Sequence, residues 1–162
     1  MKTLIVTDPQ MCSECEDCIN VCKKTYGTAR TRRTKSIPIF CLHCHPDKAP
    51  CHMICPNNAI EAIDGENCEI LKVNGEMCIL CKLCIMACPA GAIIYDKEKN
   101  SVEKCTLCLD SDNIIPACVE ACKDNVLNVL SIEDLQELKN DEDLVEAFQK
   151  IIKTFRFDSE GY

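Results

Sequence analysis

Apolar positions in this chain come in short bursts. Leu4, Ile5 and Val6 form the first, in a β-rich stretch over residues 2–7 that alternates poorly and predicts a strand leading into a loop. Asn57-Asn58-Ala59-Ile60 and Ala90-Gly91-Ala92-Ile93 each follow a proline and match in position and character. Each predicts the start of a strand in a small hairpin. Asp64-Gly65 and residues 97–100 supply the turns, with Ile93-Ile94-Tyr95 and Val102 on flanking strands. Residues 126–130 read as a last strand. Beyond it the period changes. Ser131-Ile132-Glu133-Asp134 has the form of a capping box, with Asp in place of the usual Glu or Gln. Leu144, Val145, Phe148, Ile151, Ile152 and Phe155 then recur at helical spacing, opposite Glu142, Glu146, Gln149, Lys150 and Lys153. That helix needs a surface to cover, either the protein's own body or a partner. Residues 157–162 read as a loose tail.

Between the bursts, much of the apolar patterning is cysteine, and it repeats. The third run, Cys78, Cys81, Cys84 and Cys88 followed by Pro89, reads C-x2-C-x2-C-x3-C-P. This is the spacing that holds cubane iron–sulfur clusters in bacterial ferredoxins. Three thiolates in one tight loop wrap three corners of a cube. The x3 step enters a short helix and turns the fourth sulfur toward a neighbouring cluster. Pro89 has no N–H to offer and suits the turn that ends such a helix. Paired C-x2-C also makes zinc sites, but four cysteines in one run before a proline is not a zinc spacing.

The pattern occurs four times. The first run is Cys12, Cys15, Cys18 and Cys22, with Lys23 in the proline's place. The second is Cys41, Cys44, Cys51 and Cys55 before Pro56, with its second gap stretched to six residues. The fourth is Cys105, Cys108, Cys118 and Cys122, with nine residues in its long gap and Lys123 following. Cys68 stands outside every run and reads as a small packing residue. His43, His45 and His52 all lie in the second run. Imidazole replaces thiolate in some iron–sulfur centres, yet this run already has four cysteines, so the histidines read as supporting or surface groups.

Composition narrows the setting. Seventeen cysteines in 162 residues would suit a disulfide scaffold in a secreted protein. The first residues, however, lack the charged and apolar regions of a signal peptide, and no apolar run approaches the length of a membrane span. A soluble, reducing, cytoplasmic setting is expected, where metal binding is the use for such thiols. The chain has no tryptophan and four phenylalanines, so its core is thin and its folding is expected to depend on bound metal. A net charge of −8 argues against nucleic acid as a partner. One dense basic patch, Arg30, Arg32, Arg33 and Lys35, breaks the acidic pattern. It reads either as a solvated loop that offsets cluster charge or as a docking surface for an acidic partner face.

Four such runs in this order resemble the four-cluster electron-transfer subunits of the dimethyl sulfoxide reductase iron–sulfur family, above all its small soluble members. Those serve carbon monoxide dehydrogenase, formate- or hydrogen-evolving complexes and tungsten aldehyde oxidoreductases. The resemblance rests on Thr7-Asp8-Pro9-Gln10-Met11-Cys12, Pro38-Ile39-Phe40-Cys41-Leu42-His43-Cys44, Cys81 to Pro89, Glu103-Lys104-Cys105-Thr106-Leu107-Cys108 and Pro116-Ala117-Cys118-Val119-Glu120-Ala121-Cys122, and covers roughly residues 3–130. Lys123 and the stretched second run depart from the family's pattern.

The resemblance implies an α+β fold of two nested bacterial-ferredoxin-like units in residues 1–130. The inner unit spans about 37–102, the outer is built from 1–36 and 103–130, and residues 131–162 form a C-terminal helical extension. It also implies that each run lends its fourth cysteine to another. Cys12, Cys15 and Cys18 then pair with Cys122; Cys105, Cys108 and Cys118 with Cys22; Cys41, Cys44 and Cys51 with Cys88; and Cys78, Cys81 and Cys84 with Cys55. The two inner runs end C-P-x-x-A-I and the two outer ones C-K, which agrees. No run lacks a cysteine, so four [4Fe-4S] clusters are expected. The implied function is an electron wire that is not catalytic alone. Its partner would be the catalytic large subunit of a tungsten or molybdenum enzyme, carbon monoxide dehydrogenase or hydrogenase, with a soluble ferredoxin as a further partner. A freely diffusing polyferredoxin and an iron–sulfur redox sensor are the alternatives.

Overall fold

The computed structural model describes residues 2–12, 14–63, 70–113 and 115–131. The expected C-terminal helix, Cys68 and the Asp64-Gly65 turn lie outside them. The described chain is a small α+β protein of short elements. In order they are β1 (Lys2–Val6), α1 (Asp17–Tyr26), β2 (Arg32–Arg33), β3 (Pro38–Ile39), a 3-10 turn (Pro46–Lys48), α2 (Pro50–Met53), β4 (Ile60–Ile63), β5 (Ile70–Val73), α3 (Leu83–Ala87), β6 (Ile93–Asp96), β7 (Ser101–Lys104), α4 (Ala117–Glu120) and β8 (Leu127–Ser131).

The strands pair as four separate two-stranded antiparallel ladders. β4 with β5 and β6 with β7 are local hairpins, while β1 pairs with β8 from the far end of the described chain, Leu4 opposite Val129. The β2–β3 ladder runs through the basic patch, which is therefore a tight hairpin rather than an open loop. It is closed by Thr34 N–H donating to the Ile37 carbonyl at 2.9 Å.

The run endings explain the helix lengths. After Cys55, Cys88 and Cys122 the chain makes the same turn. Asn58, Gly91 and Asn125 donate their N–H groups to the carbonyls of those cysteines at 3.3, 3.0 and 3.1 Å. All three sit in the left-handed region, at φ 50°, 58° and 54°. Glycine and asparagine adopt that conformation most readily. Lys123 thus occupies the proline's place without changing the turn. The first run has neither proline nor such a turn, and α1 continues through Cys22 until Gly27, at φ 73°, ends it.

Two small cores result. Leu4, Phe40, Ile70, Leu107 and Leu127 bury with Cys18 and Cys118; Ala49, Ile60, Leu71, Ile93 and Val102 bury with Cys51 and Cys84. Ile70 and Leu71 are neighbours on β5, and strand alternation sends one to each core. Each core mixes cysteine with aliphatic side chains, so the interior is built up to its thiols.

Candidate metal centre

The thiols of the four runs are free, and the fold gathers them across runs. Cys22 of the first run lines one cavity with Cys105, Cys108 and Cys118 of the fourth, walled by Tyr26, Phe40 and Leu107. Cys88 of the third run lines another with Cys41, Cys44 and Cys51 of the second, walled by Ala49, Leu71 and Ile93. The electrostatic neighbours of the remaining thiols follow the same rule. Burial raises the Cys12 pKa most, and Cys122 and Cys15 raise it further, against the opposing charge of Arg33. Cys18 is pushed up to about 11, by burial and then by Cys15 and Cys12. Cys84 also reaches about 11, through burial first and then Cys78, Cys51 and Cys55, against a hydrogen bond from the Ile85 N–H. Cys81 is the one exposed thiol of the sixteen.

Neighbouring sets also touch one another electrostatically. Cys118 has its pKa raised by burial, by Cys105, Cys108 and Cys22 of its own set, and then by Cys18. Burial drives Cys105 to about 12, and among the charges around it the largest effect comes from Cys41. Cys84 feels Cys51. Cys18 thus neighbours Cys118, Cys41 neighbours Cys105, and Cys51 neighbours Cys84.

Loop geometry prepares these sites. His43, Leu80 and Leu107 each immediately precede the second cysteine of a run and take positive φ, at 48°, 58° and 53°. A non-glycine residue there costs of order 1–3 kcal/mol, so the tight wrap is held by its surroundings. Backbone N–H groups point at sulfur: Arg30 to Cys22 at 3.2 Å, Ala59 to Cys55 at 3.2 Å, Ala92 to Cys88 at 3.4 Å and His43 to Cys41 at 3.4 Å. Hydrogen bonds to sulfur are one means by which a protein sets cluster potentials.

The donor sets fit iron–sulfur clusters. Each is thiols alone, and among the described residues no three Cys, His, Asp or Glu side chains converge as they do on a single metal ion. In two of the sets the four thiols instead stand around a cavity, the arrangement for a group with one thiolate per iron. His43 is 1% exposed and neither ring nitrogen meets a protein hydrogen-bond partner, which leaves a donor beside Cys41 and Cys44 for a group bound there. Burial, then the charge of Lys104, lowers its pKa to about 3, so the ring is neutral. His52 Nδ1 lies 2.6 Å from the Ile60 carbonyl, and His45 Nδ1 accepts from the Asp47 N–H at 3.3 Å.

The basic patch divides. Arg30 lies under the surface, pairing with Glu103 at 3.0 Å and Asp110 at 2.6 Å, its guanidinium 3.7 Å from the Tyr26 ring centre. Arg33 donates to the carbonyls of Cys12 and Cys15 and holds the first loop closed. Arg32 and Lys35 are exposed, with Arg32 set against Gly91. Two of the four are thus internal struts at the metal sites, which leaves Arg32 and Lys35 as the pair facing solvent. Sequence reasoning missed Lys104, 3% exposed and lining the cavity of the Cys41 set. Its signal was strand alternation, two residues after inward-facing Val102.

A family model for the 4Fe-4S dicluster domain matches residues 32–132. An uncharacterized ferredoxin of Methanocaldococcus jannaschii is 48% identical over 94% of this chain and 93% of its own length. A second ferredoxin of that organism is 36% identical over 93% of this chain and 85% of its own. Hydrogenase-4 component A of Escherichia coli is 30% identical over 84% and 86%. Among the described residues no helix is long and apolar enough to cross a membrane. Cavities walled by thiols, a fold that builds them from paired cysteine runs and these likenesses lead to one assignment: the chain belongs to the 4Fe-4S dicluster domain family and is a ferredoxin-like iron–sulfur protein of electron transfer.

Proposed function

We propose that the chain is the electron-transfer subunit of a redox enzyme complex, holding four [4Fe-4S] clusters in a row through the sixteen cysteines of its runs. The observation that supports this is the arrangement of the thiols: two cavities each join three cysteines of one run to the fourth of another, and the neighbours Cys12 with Cys122 and Cys84 with Cys55 extend the pattern to the remaining runs. When bound, the clusters supply one-electron exchange. The chain's own residues fix the thiols, aim N–H groups at sulfur and leave Cys81 the one exposed thiol of the sixteen. The β1–β8 pairing and the packing of α1 on α4 support the nested reading, with the second and third runs between the first and fourth.

The exposed surface favours a bound partner over a freely diffusing carrier. Around Cys81 the chain exposes Met53 (69%), Met86 (84%), Ile54, Met77, Ile79 and Leu83. An apolar face of this kind marks a protein contact. Relatives include a hydrogenase-4 component and formate hydrogenlyase subunit 2 of Escherichia coli, which supports a catalytic subunit as the occupant. The membership implied by sequence, in the dimethyl sulfoxide reductase iron–sulfur family with a molybdenum or tungsten enzyme, carbon monoxide dehydrogenase or hydrogenase as partner, and a cytoplasmic location belong to this proposal.

Iron and sulfide analysis of anaerobically purified protein tests the cluster count. About sixteen of each per chain is expected from four cubanes, and Cys68→Ser should leave that count intact. A reproducible value near half that, or stoichiometric zinc, would sink the reading. Native purification tests the partner. Co-elution with a large subunit, lost when Met53 and Met86 become Glu, is expected; recovery of the chain alone would favour the carrier.

A further inference from the structure

Lys104 ends β7, and its ammonium is shut inside the protein at 3% exposure. Its Nζ donates to the Leu71 carbonyl at 2.9 Å and the Cys105 carbonyl at 3.4 Å. Among the described residues no carboxylate pairs with it. Burying an ammonium costs several kcal/mol unless an anion compensates it. With clusters bound, the anions at hand are the ligating thiolates of two different sets. Lys104 lines the cavity of Cys41, Cys44, Cys51 and Cys88, and its next residue, Cys105, belongs to the adjoining set. Its charge opposes burial at both Cys51 and Cys105.

We propose that Lys104 is a shared tuning charge, one buried cation that makes the two middle clusters of the row easier to reduce. Each reduction adds one negative charge to a site, and a fixed cation in a poorly solvated interior stabilises that added charge more than solvent-screened lysines do. The cation stands at the junction between two sets, so both respond to it together. The end sets have other company: Arg33 beside Cys12, and the exposed surroundings of Cys81. Lys104 is buried and carries no electron; it acts through charge alone. The inference rests on the four-cluster reading, and wild-type iron content tests that reading before Lys104 is altered.

The test is a redox titration of the holoprotein followed by electron paramagnetic resonance. Lys104→Gln keeps a donor for the Leu71 carbonyl and removes the charge; Lys104→Met removes both; Lys104→Arg keeps the charge. With iron content whole, the Gln and Met variants should make two of the four centres at least tenfold harder to reduce, a fall of about 59 mV for one electron. The other two should stay in place, and Lys104→Arg should lie near wild type. An unchanged set of potentials, an equal shift of all four, or a shift of one centre only would overturn the proposal. Iron loss in both neutral variants with Lys104→Arg intact would also overturn it, by making Lys104 a structural counter-ion.

Discussion

Arg30 and Asp110 stand eighty residues apart in the chain and 2.6 Å apart in space. The contact locks the segment after the first cysteine run to the loop inside the fourth. Glu103 adds a second carboxylate at 3.0 Å, and Thr106 accepts a further hydrogen bond from Arg30 at 3.2 Å. Arg30 also lines the cavity of Cys22, Cys105, Cys108 and Cys118, so its side chain and its backbone N–H serve one site.

Removing one partner of this network leaves a half-buried charge without its complement. Arg30→Gln is expected to destabilise the holoprotein by about 1–3 kcal/mol. Asp110→Asn should cost less, because Glu103 remains. Thermal unfolding followed through the cluster absorbance checks both. Arg30→Gln at wild-type stability would show that the network adds nothing to the fold.

Gly91 makes the turn after the third run at φ 58°, and a Cβ there would run into the Arg32 guanidinium. Gly91→Ala should therefore destabilise by more than about 1 kcal/mol. Gly91→Asn should suffer less from the backbone, since Asn58 and Asn125 already hold the equivalent conformation. Equal losses in the two variants would place the whole cost in the Arg32 contact.

Thiols at Cys18 and Cys84, raised to about 11, and Cys105, raised to about 12, keep their protons at neutral pH when no cluster is bound. Iron binds the thiolate, so cluster insertion must expel those protons. Anaerobic reconstitution at pH 7.5 should consume base in proportion to the iron taken up, and acid should favour cluster loss. Release of no more protons than the added sulfide itself gives up would mean that the apo thiols are already ionised.

Of the basic patch, Arg32 and Lys35 face solvent. Replacing both with serine should slow electron exchange with an acidic partner and flatten its salt dependence, with iron content unchanged. Shifted potentials at an unaltered exchange rate would assign them to charge balance instead.

The cysteine runs and most of the strands were legible because their causes are local. A cubane dictates thiol spacing, and Ile93-Ile94-Tyr95 facing Val102 across a four-residue turn is a hairpin on its own terms. Arg30 was not legible in the same way. Its partners, Glu103 and Asp110, lie far along the chain, and nothing near Arg30 marks it as different from Lys35. Lys104 hid for another reason: a lysine at a strand end is ordinarily solvated, and only the thiols beyond it make burial tolerable. The β2–β3 hairpin was masked by its arginines, which suggest solvent although Thr31, next to them, is buried and donates to the Ile39 carbonyl at 2.7 Å.

The pairing of β1 with β8 bears on how the protein is made. During synthesis the thiols of Cys12, Cys15, Cys18 and Cys22 emerge first, yet the neighbours the fold gives them come with the fourth run. Translating the hundred residues from Cys22 to Cys122 takes roughly 5–20 s at about 5–20 residues per second. The second and third runs are complete sooner, once Cys88 has left the ribosome. A nascent chain in an oxidising cell would therefore present the thiols of its first run, unshielded, for longer than those of the later runs, and oxygen damage would begin there.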